Sequence, residues 1–303
     1  MGTIIAPFDP WKGRMCTCPP KYSFSPYTGC SHACLYCYAT SYIRNFGESR
    51  PKANLDSRLL RSLSRIDRSL PISMANSSDP YPPVEQSLEI TRSSLKLLLP
   101  RGFKVMIVTK SNIVVRDVDL ISRGNCSVSF TVTTLKEELA AKIEPGAPRP
   151  RDRIKAIKVL SEAGVPCIAR LDPIIPGLND DEADLRRLIR EVVIAGVKHI
   201  SSATYKVKPD NLSRMSKAFP DKASYWGRLY YEEGVRIDGS RYLPTDLRLR
   251  FMKMVKEIVE EYGLTFSVCR EGFSNLTTSP TCDGTHLIPI RVKVKGLEYA
   301  HVH

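Results

Sequence analysis

Apolar residues recur along this chain in two rhythms. Short apolar runs suited to buried strands stand at 22–27, 71–76, 104–109, 127–133, 165–171 and 198–203. Between them lie stretches with helical spacing at 35–46, 57–69, 84–99, 116–122, 151–163 and 182–195. The last is the clearest, because Leu185, Leu188, Ile189, Val192 and Val193 fall on one face of a 3.6-residue repeat. Asn179 is the expected N-cap of that helix, with Glu182 three residues on, and Gly196 is its expected C-terminal stop. A further helix is predicted over 246–262, with Leu247, Phe251, Met254, Val255, Ile258 and Val259 on its apolar face. Six strands separated by helices predict parallel pairing through right-handed crossovers. The expected fold class is therefore α/β, built as an open, partial (β/α)6 barrel whose chemistry sits at the C-terminal ends of the strands.

This pattern divides the chain into a Pro-rich N-terminal arm (1–20), a β/α core (21–205), an insertion (206–244), and a last helix with a C-terminal segment (245–303). The insertion interleaves Tyr225, Trp226, Tyr230, Tyr231 and Tyr242 with Lys208, Lys217, Lys222, Arg228 and Arg241. Aromatic faces stack on bases and cations meet phosphates, so it is a candidate substrate-binding region. The competing reading is an insertion that packs its aromatics on the barrel.

Charge adds to the picture. The 303 residues carry a net charge of +13. Residues 1–150 hold 20 basic and 12 acidic side chains, and residues 151–303 hold 25 and 20, so the excess belongs to the folded body and not to a tail. An anionic partner such as a nucleic acid is favoured. No secretory apolar region and no run of bilayer length is present, and a cytoplasmic protein is expected. Nine cysteines in a reducing compartment point to metal binding before disulfides.

Three of the nine cysteines give the strongest chemical signal. Cys30, Cys34 and Cys37 lie within eight residues on the loop that follows the first strand. Thiolates so spaced suit an iron–sulfur cube, and three thiolates leave one iron open for chemistry. Zinc, with His32 as the fourth ligand, is the alternative. Cys16, Cys18, Cys269 and Cys282 form a possible second constellation, suited to zinc or another [4Fe-4S] cluster.

The run Cys30-x-x-x-Cys34-x-x-Cys37 with Tyr36 and Tyr38, together with Asp79-Pro-Tyr-Pro-Pro-Val-Glu85, Glu144-Pro145 and Pro173-Ile-Ile-Pro-Gly-Leu-Asn179, resembles the spore photoproduct lyase-like branch of the radical S-adenosylmethionine (SAM) superfamily. The resemblance implies a [4Fe-4S] cluster on Cys30, Cys34 and Cys37. It also implies SAM on the open iron, an external electron donor, and a 5′-deoxyadenosyl radical that abstracts hydrogen from substrate. It places Ser77, Ser78 and Asp79 near the SAM amino group, the alternative being an ordinary turn that starts the next helix with Asp79 as a cap, and it places Tyr36 beside the cluster. Lys110 and Ser129 become candidate contacts to ribose or carboxylate. Arg170 becomes a fork for the carboxylate, the alternative being an ion pair inside the barrel, and Ile174 a wall for adenine. Lesion-repairing members of that branch carry a hydrogen-donating cysteine near the end of the second strand, where this chain has Ser77 and Ser78. Cys126 and Cys167 are the candidate replacements. The expected function is radical SAM chemistry on a nucleic-acid base. The alternatives are the same chemistry on a protein side chain or small molecule, and a non-catalytic metal-binding nucleic-acid module.

Overall fold

The computed structural model describes residues 3–8, 13, 15–74 and 76–292. Positions 1, 2, 9–12 and 14 of the expected N-terminal arm, and residues 293–303 of the C-terminal segment, lie outside the described residues. Eight strands form one sheet whose spatial order is their order along the chain: β1 (Ala6–Pro7), β2 (Tyr22–Phe24), β3 (Ile72–Met74), β4 (Val105–Thr109), β5 (Cys126–Thr131), β6 (Cys167–Ile174), β7 (Val197–Thr204) and β8 (Thr265–Val268). β1 is antiparallel to β2, and β2 through β8 are parallel. Six crossovers join the seven parallel strands, as a partial (β/α)6 barrel requires. Their C-terminal ends share one mouth, and the cysteine loop leaves the first of them.

β8 is the strand that the periodicity missed. It spans four residues and alternates too briefly to register, yet it pairs with β7 from Thr265↔His199 to Val268↔Ser202. The sheet therefore extends beyond residue 205 and takes in the segment after the last helix, Thr245–Glu260.

Three helix expectations are corrected. The stretch 35–46 is a series of tight turns with one short 3-10 helix, Ala39–Ser41. Three of its carbonyls are met by outside donors: Arg214 donates to the Leu35 and Cys37 oxygens, and Asn211 to the Tyr36 oxygen. The stretch 84–99 breaks into Glu85–Leu88 and Ile90–Leu98 at Glu89, whose φ is +50°. The buried Glu85 carboxylate accepts from the Thr91 and Arg92 amides and so caps the second piece. The helix Glu182–Ile194 is capped by Asp181, not Asn179. Asn179 instead accepts from the Ile175 amide and donates to the Thr133 and Pro173 carbonyls, fastening the loop after β6.

The aromatic insertion also departs from the stacking platform. Helices Pro209–Ala218 and Pro220–Gly227, one π-helical turn and a small hairpin (Val235–Ile237 with Ser240–Tyr242) bury Trp226, Tyr230 and Tyr242 completely. Trp226 Nε1 donates to the Pro176 oxygen at 2.9 Å, and Tyr230 Oη to the Tyr205 oxygen at 2.8 Å. These rings serve the core; Tyr231 remains exposed, with Arg241 over its face. Among the described residues no helix is long and apolar enough to cross a membrane.

Candidate functional site

The cysteine loop is shaped by two glycines. Gly29 has φ +81°, and a Cβ there would lie 2.1 Å from the Glu48 oxygen. Gly146 approaches from the loop after β5, and a Cβ there would lie 2.1 Å from the Ser31 oxygen. The Gly146 amide donates to the His32 oxygen at 3.0 Å, and the Cys30 amide donates to the Phe46 oxygen at 2.6 Å. The loop is thus held through its backbone, and its side chains are left to line a cavity.

That cavity, about 150 Å³, is bordered by Cys30, Cys34 and Cys37 together with His32, Ser77, Ser78, Asp79 and Lys110. Burial pushes the Cys30 thiol up to about 11 and raises those of Cys34 and Cys37 as well. Without a metal these groups stay protonated, and ligation is what makes the thiolate favourable. His32 is kept neutral by burial, and its Nε2 is buried without a hydrogen-bond partner. Among the described residues, no three His, Cys, Asp or Glu side chains converge on the point a single ion would occupy. Zinc needs such convergence; a cube takes each thiolate on a different iron. One cavity, three protonated thiols and an orphaned imidazole nitrogen therefore fit an iron–sulfur cube held by Cys30, Cys34 and Cys37.

Tyr36 is fixed behind the loop. Its hydroxyl donates to Glu144 Oε1, which also accepts from Thr133 Oγ1 at 2.6 Å. Arg153 Nη2 meets Glu144 Oε2 at 2.5 Å, and both residues are buried. Burial opposes the Glu144 charge, but Arg153, Lys110, Thr133 and Tyr36 hold its carboxyl down at about 2. Asp79 is equally committed. It accepts from Thr109 Oγ1 at 2.6 Å, the Lys110 amide at 2.7 Å and the Tyr81 amide at 2.9 Å, and it faces His32 Nδ1 at 3.4 Å. Its carboxylate locks the loop after β3 to the end of β4, and its bond from the Tyr81 amide is the local turn contact weighed for it.

A second, central cavity of about 190 Å³ opens beside the first and shares Tyr36, Cys37, Ser77, Lys110 and Thr131 with it. Arg170 lies on its wall and is paired with Asp172 at 2.5 Å. The ion pair weighed for Arg170 is therefore present, and the guanidinium still faces the cavity. Lys206, Cys269 and Arg270 also line this space, and Thr204 and Thr131 border it from the strand ends. Cys269 was expected only in the second constellation, and the sequence reading assigned nothing to Thr204 or Arg270. Lys206 and Arg270 stand just past the ends of β7 and β8, so placing β8 would have exposed Cys269 and Arg270.

Four expected site residues fall elsewhere. Cys126 and Cys167 are the first residues of β5 and β6, at the end of the strands away from the mouth, and both are fully buried. Their thiols point to the Ser127 oxygen and to the Ile157 and Val165 oxygens, so neither reaches the site. Ile174 and Ser129 are buried in the sheet and border neither cavity. Thr131, two residues beyond Ser129 on the same face, borders both. Cys16, Cys18, Cys269 and Cys282 all line a third cavity, with Cys18 Sγ 3.6 Å from Cys282 Sγ, but among the described residues no three of them converge on a point that a single ion would occupy.

Comparison with known proteins follows the same lines. The chain is 34% identical over 165 residues to an uncharacterised protein of Methanocaldococcus jannaschii; the match covers 54% of this chain and 63%, less than two thirds, of that relative. It is 22% identical over 256 residues to a protein of Pseudomonas phage M6 named radical SAM Nalpha-GlyT isomerase, covering 81% of this chain and 53% of that one. A solved spore photoproduct lyase mutant with bound AdoMet and dinucleoside spore photoproduct shares its fold, with TM-score 0.65 and 18% identity over 86% of this chain and 79% of the other. Residues 24–189, which hold the cysteine loop and strands β3 to β6 and begin at the end of β2, match the Radical SAM superfamily, and the chain belongs to it.

Proposed function

We propose that this enzyme directs radical SAM chemistry at a base within a nucleic acid. Membership of the superfamily implies a [4Fe-4S] cluster, bound SAM and a reductant. Together these supply a 5′-deoxyadenosyl radical by reductive cleavage of the sulfonium. The chain's own residues hold and screen that chemistry. Cys30, Cys34 and Cys37 would ligate the cluster, and Ser77, Ser78 and Lys110 border the space beside it. In this reading Ser77 and Ser78 offer oxygens to an ammonium while Asp79 keeps their loop in place. Arg170, oriented by Asp172, presents its remaining nitrogens to an incoming carboxylate. The Tyr36–Glu144–Arg153 chain excludes water from the back of the cluster loop.

The observation that carries the substrate class is the charge of the central cavity. Lys110, Arg170, Lys206 and Arg270 border it together with Asp172, while Glu144 and Glu271 meet Lys110 and Lys206 from behind the lining. An anionic substrate is favoured there, in line with the basic body of the protein. The dinucleoside named in the lyase structure fits the same reading. The test is binding of single-stranded and duplex oligonucleotides at several salt concentrations, followed by SAM cleavage with and without them. Nucleic-acid binding gives log K falling with log salt by about 0.7–0.9 per phosphate contacted. Absence of binding at low ionic strength would sink this substrate class and leave a peptide or small molecule.

A further inference from the structure

Two sulfurs of the inner cavity touch although 264 positions separate them along the chain. Cys282 donates its S–H to Cys18 Sγ at 3.6 Å, and Cys16 is hydrogen-bonded to Cys18 as well. We propose that Cys18 and Cys282 are a modification site, a thiol pair that closes to a disulfide by exchange with a small disulfide such as that of glutathione. The inference concerns the seam of the barrel and does not depend on the radical substrate.

Three observations carry the proposal. The first is number. No three ligating side chains among the described residues converge on the point a single ion would occupy, so what the cavity holds is a pair in contact. The second is framing. Cys18 leads into β2 on one side of the seam, and Cys282 stands beyond β8 on the other. Beside them the buried Lys21 Nζ meets Asp283 Oδ2 at 2.5 Å. Asp283 Oδ1 accepts from the Thr285 amide at 3.0 Å and from the Thr285 hydroxyl at 2.7 Å. Ser267 of β8 donates to the Cys282 oxygen at 2.5 Å. Both sulfurs are thus carried by segments tied to the sheet and to each other.

The third observation is reactivity. Hydrogen bonds from Cys16 and Cys282 outweigh burial at Cys18, and with the charges of Lys21 and Arg170 they hold its thiol far below the ordinary range. Cys18 is also half-buried, within reach of a small molecule. Cys126 and Cys167 show the opposite state: both are fully buried, and burial pushes Cys167 up to about 12 and raises Cys126 too.

The chemistry is two exchanges. The Cys18 thiolate attacks one sulfur of glutathione disulfide and expels a glutathione thiolate, leaving a mixed disulfide on Cys18. Cys282 then loses its proton, attacks Cys18 Sγ and expels the second glutathione. The protein thiols lose two electrons and two protons, and the small disulfide gains them as two thiols. An excess of the small thiol runs both steps backwards.

The experiment places the cluster-loaded full chain in anaerobic glutathione buffers from fully reduced to fully oxidised, then maps its peptides by mass without reduction. The wild type should yield a Cys18–Cys282 cross-linked peptide whose ratio to the open form follows the disulfide concentration over the square of the thiol concentration. Cys282→Ser should instead keep glutathione on Cys18, and Cys16→Ser should still cross-link. The urea midpoint of the wild type should rise on oxidation, because the bond closes a long loop, and that of Cys282→Ser should not. Absence of the cross-link in the most oxidising buffer would overturn the proposal, and so would a Cys16–Cys18 linkage in its place. A metal beyond the cluster that shields Cys18 and Cys282 from alkylation would overturn it too, since the pair would then be ligands. If Cys282→Ser does not fold, the wild-type titration decides alone.

Discussion

The cysteine loop and the connection from Tyr205 to Leu243 touch each other, yet they are built in opposite ways. The loop has almost no regular structure, and three successive backbone carbonyls, Leu35 to Cys37, are met from outside. The connection is largely helical, buries its large aromatic rings, and supplies many of those outside donors. Asn211 reaches the Tyr36 oxygen at 3.0 Å, and Arg214 reaches the Leu35 and Cys37 oxygens at 3.1 and 3.0 Å. Asp210 accepts from Ser41 at 2.6 Å. The loop's tight turns satisfy part of its backbone, and a helical neighbour meets the carbonyls of Leu35, Tyr36 and Cys37. The insertion that resembled a substrate platform is, for the most part, the scaffold of the cluster loop.

This contrast can be broken in order of expected effect. Cys30→Ala should abolish iron incorporation and SAM cleavage while the far-ultraviolet circular dichroism stays native, because the loop is held by its backbone. A variant that keeps full iron would refute the ligand assignment. Trp226→Ala should cost about 3–5 kcal/mol in urea unfolding, the range for deleting a buried Trp. A loss below about 1 kcal/mol would put the ring outside the core.

Glu144→Gln should cost roughly 3 kcal/mol by leaving Arg153 buried without its charge partner. It should also change the pH dependence. The folded-state pKa of Glu144, about 2, lies below its ordinary value of 4.5, so its stabilisation is present above 4.5 and is lost as pH falls from 4.5 toward 2. Urea midpoints for the wild type should fall more steeply than those of Glu144→Gln over that window, and parallel curves would remove Glu144 from the account.

Arg214→Ala should leave the fold intact but reduce cluster loading, because three acceptors of the loop lose their donor: two carbonyls and Thr40 Oγ1. Iron counting after reconstitution measures it, and undiminished loading would argue that the connection is merely adjacent. Tyr231→Ala, at an exposed position, should shift stability by no more than about 0.5 kcal/mol. A larger effect would mean that the connection buries more than its interior rings.

The parts legible in the sequence were those fixed by local chemistry. Ligand spacing at Cys30, Cys34 and Cys37 survives any tertiary arrangement, and so does the helical face of Leu185, Leu188, Ile189 and Val192. Composition was less reliable. Tyr and Trp among Lys and Arg describe both a stacking surface and a core with a charged rim, and only packing separates the two. The strand ends gave mixed results. Lys110 and Arg170 were found because their strands were long enough to recognise. Arg270 was missed with the four-residue strand before it, Cys269 was read only as a member of the second constellation, and Cys126 and Cys167 were misplaced because a cysteine's position along a strand decides which end of the barrel it serves.

The spatial order of the sheet has a consequence for how the protein matures. The interior is sealed where the two ends of the described chain meet. Lys21 pairs with Asp283 at 2.5 Å, and Cys18 lies against Cys282. Cys30, Cys34 and Cys37 therefore leave the ribosome early, while the segment that seals the inner cavity leaves late. A chain truncated ahead of Thr265 should keep its three loop cysteines yet lack the wall that Cys269, Arg270, Cys282 and Asp283 give to the inner cavity.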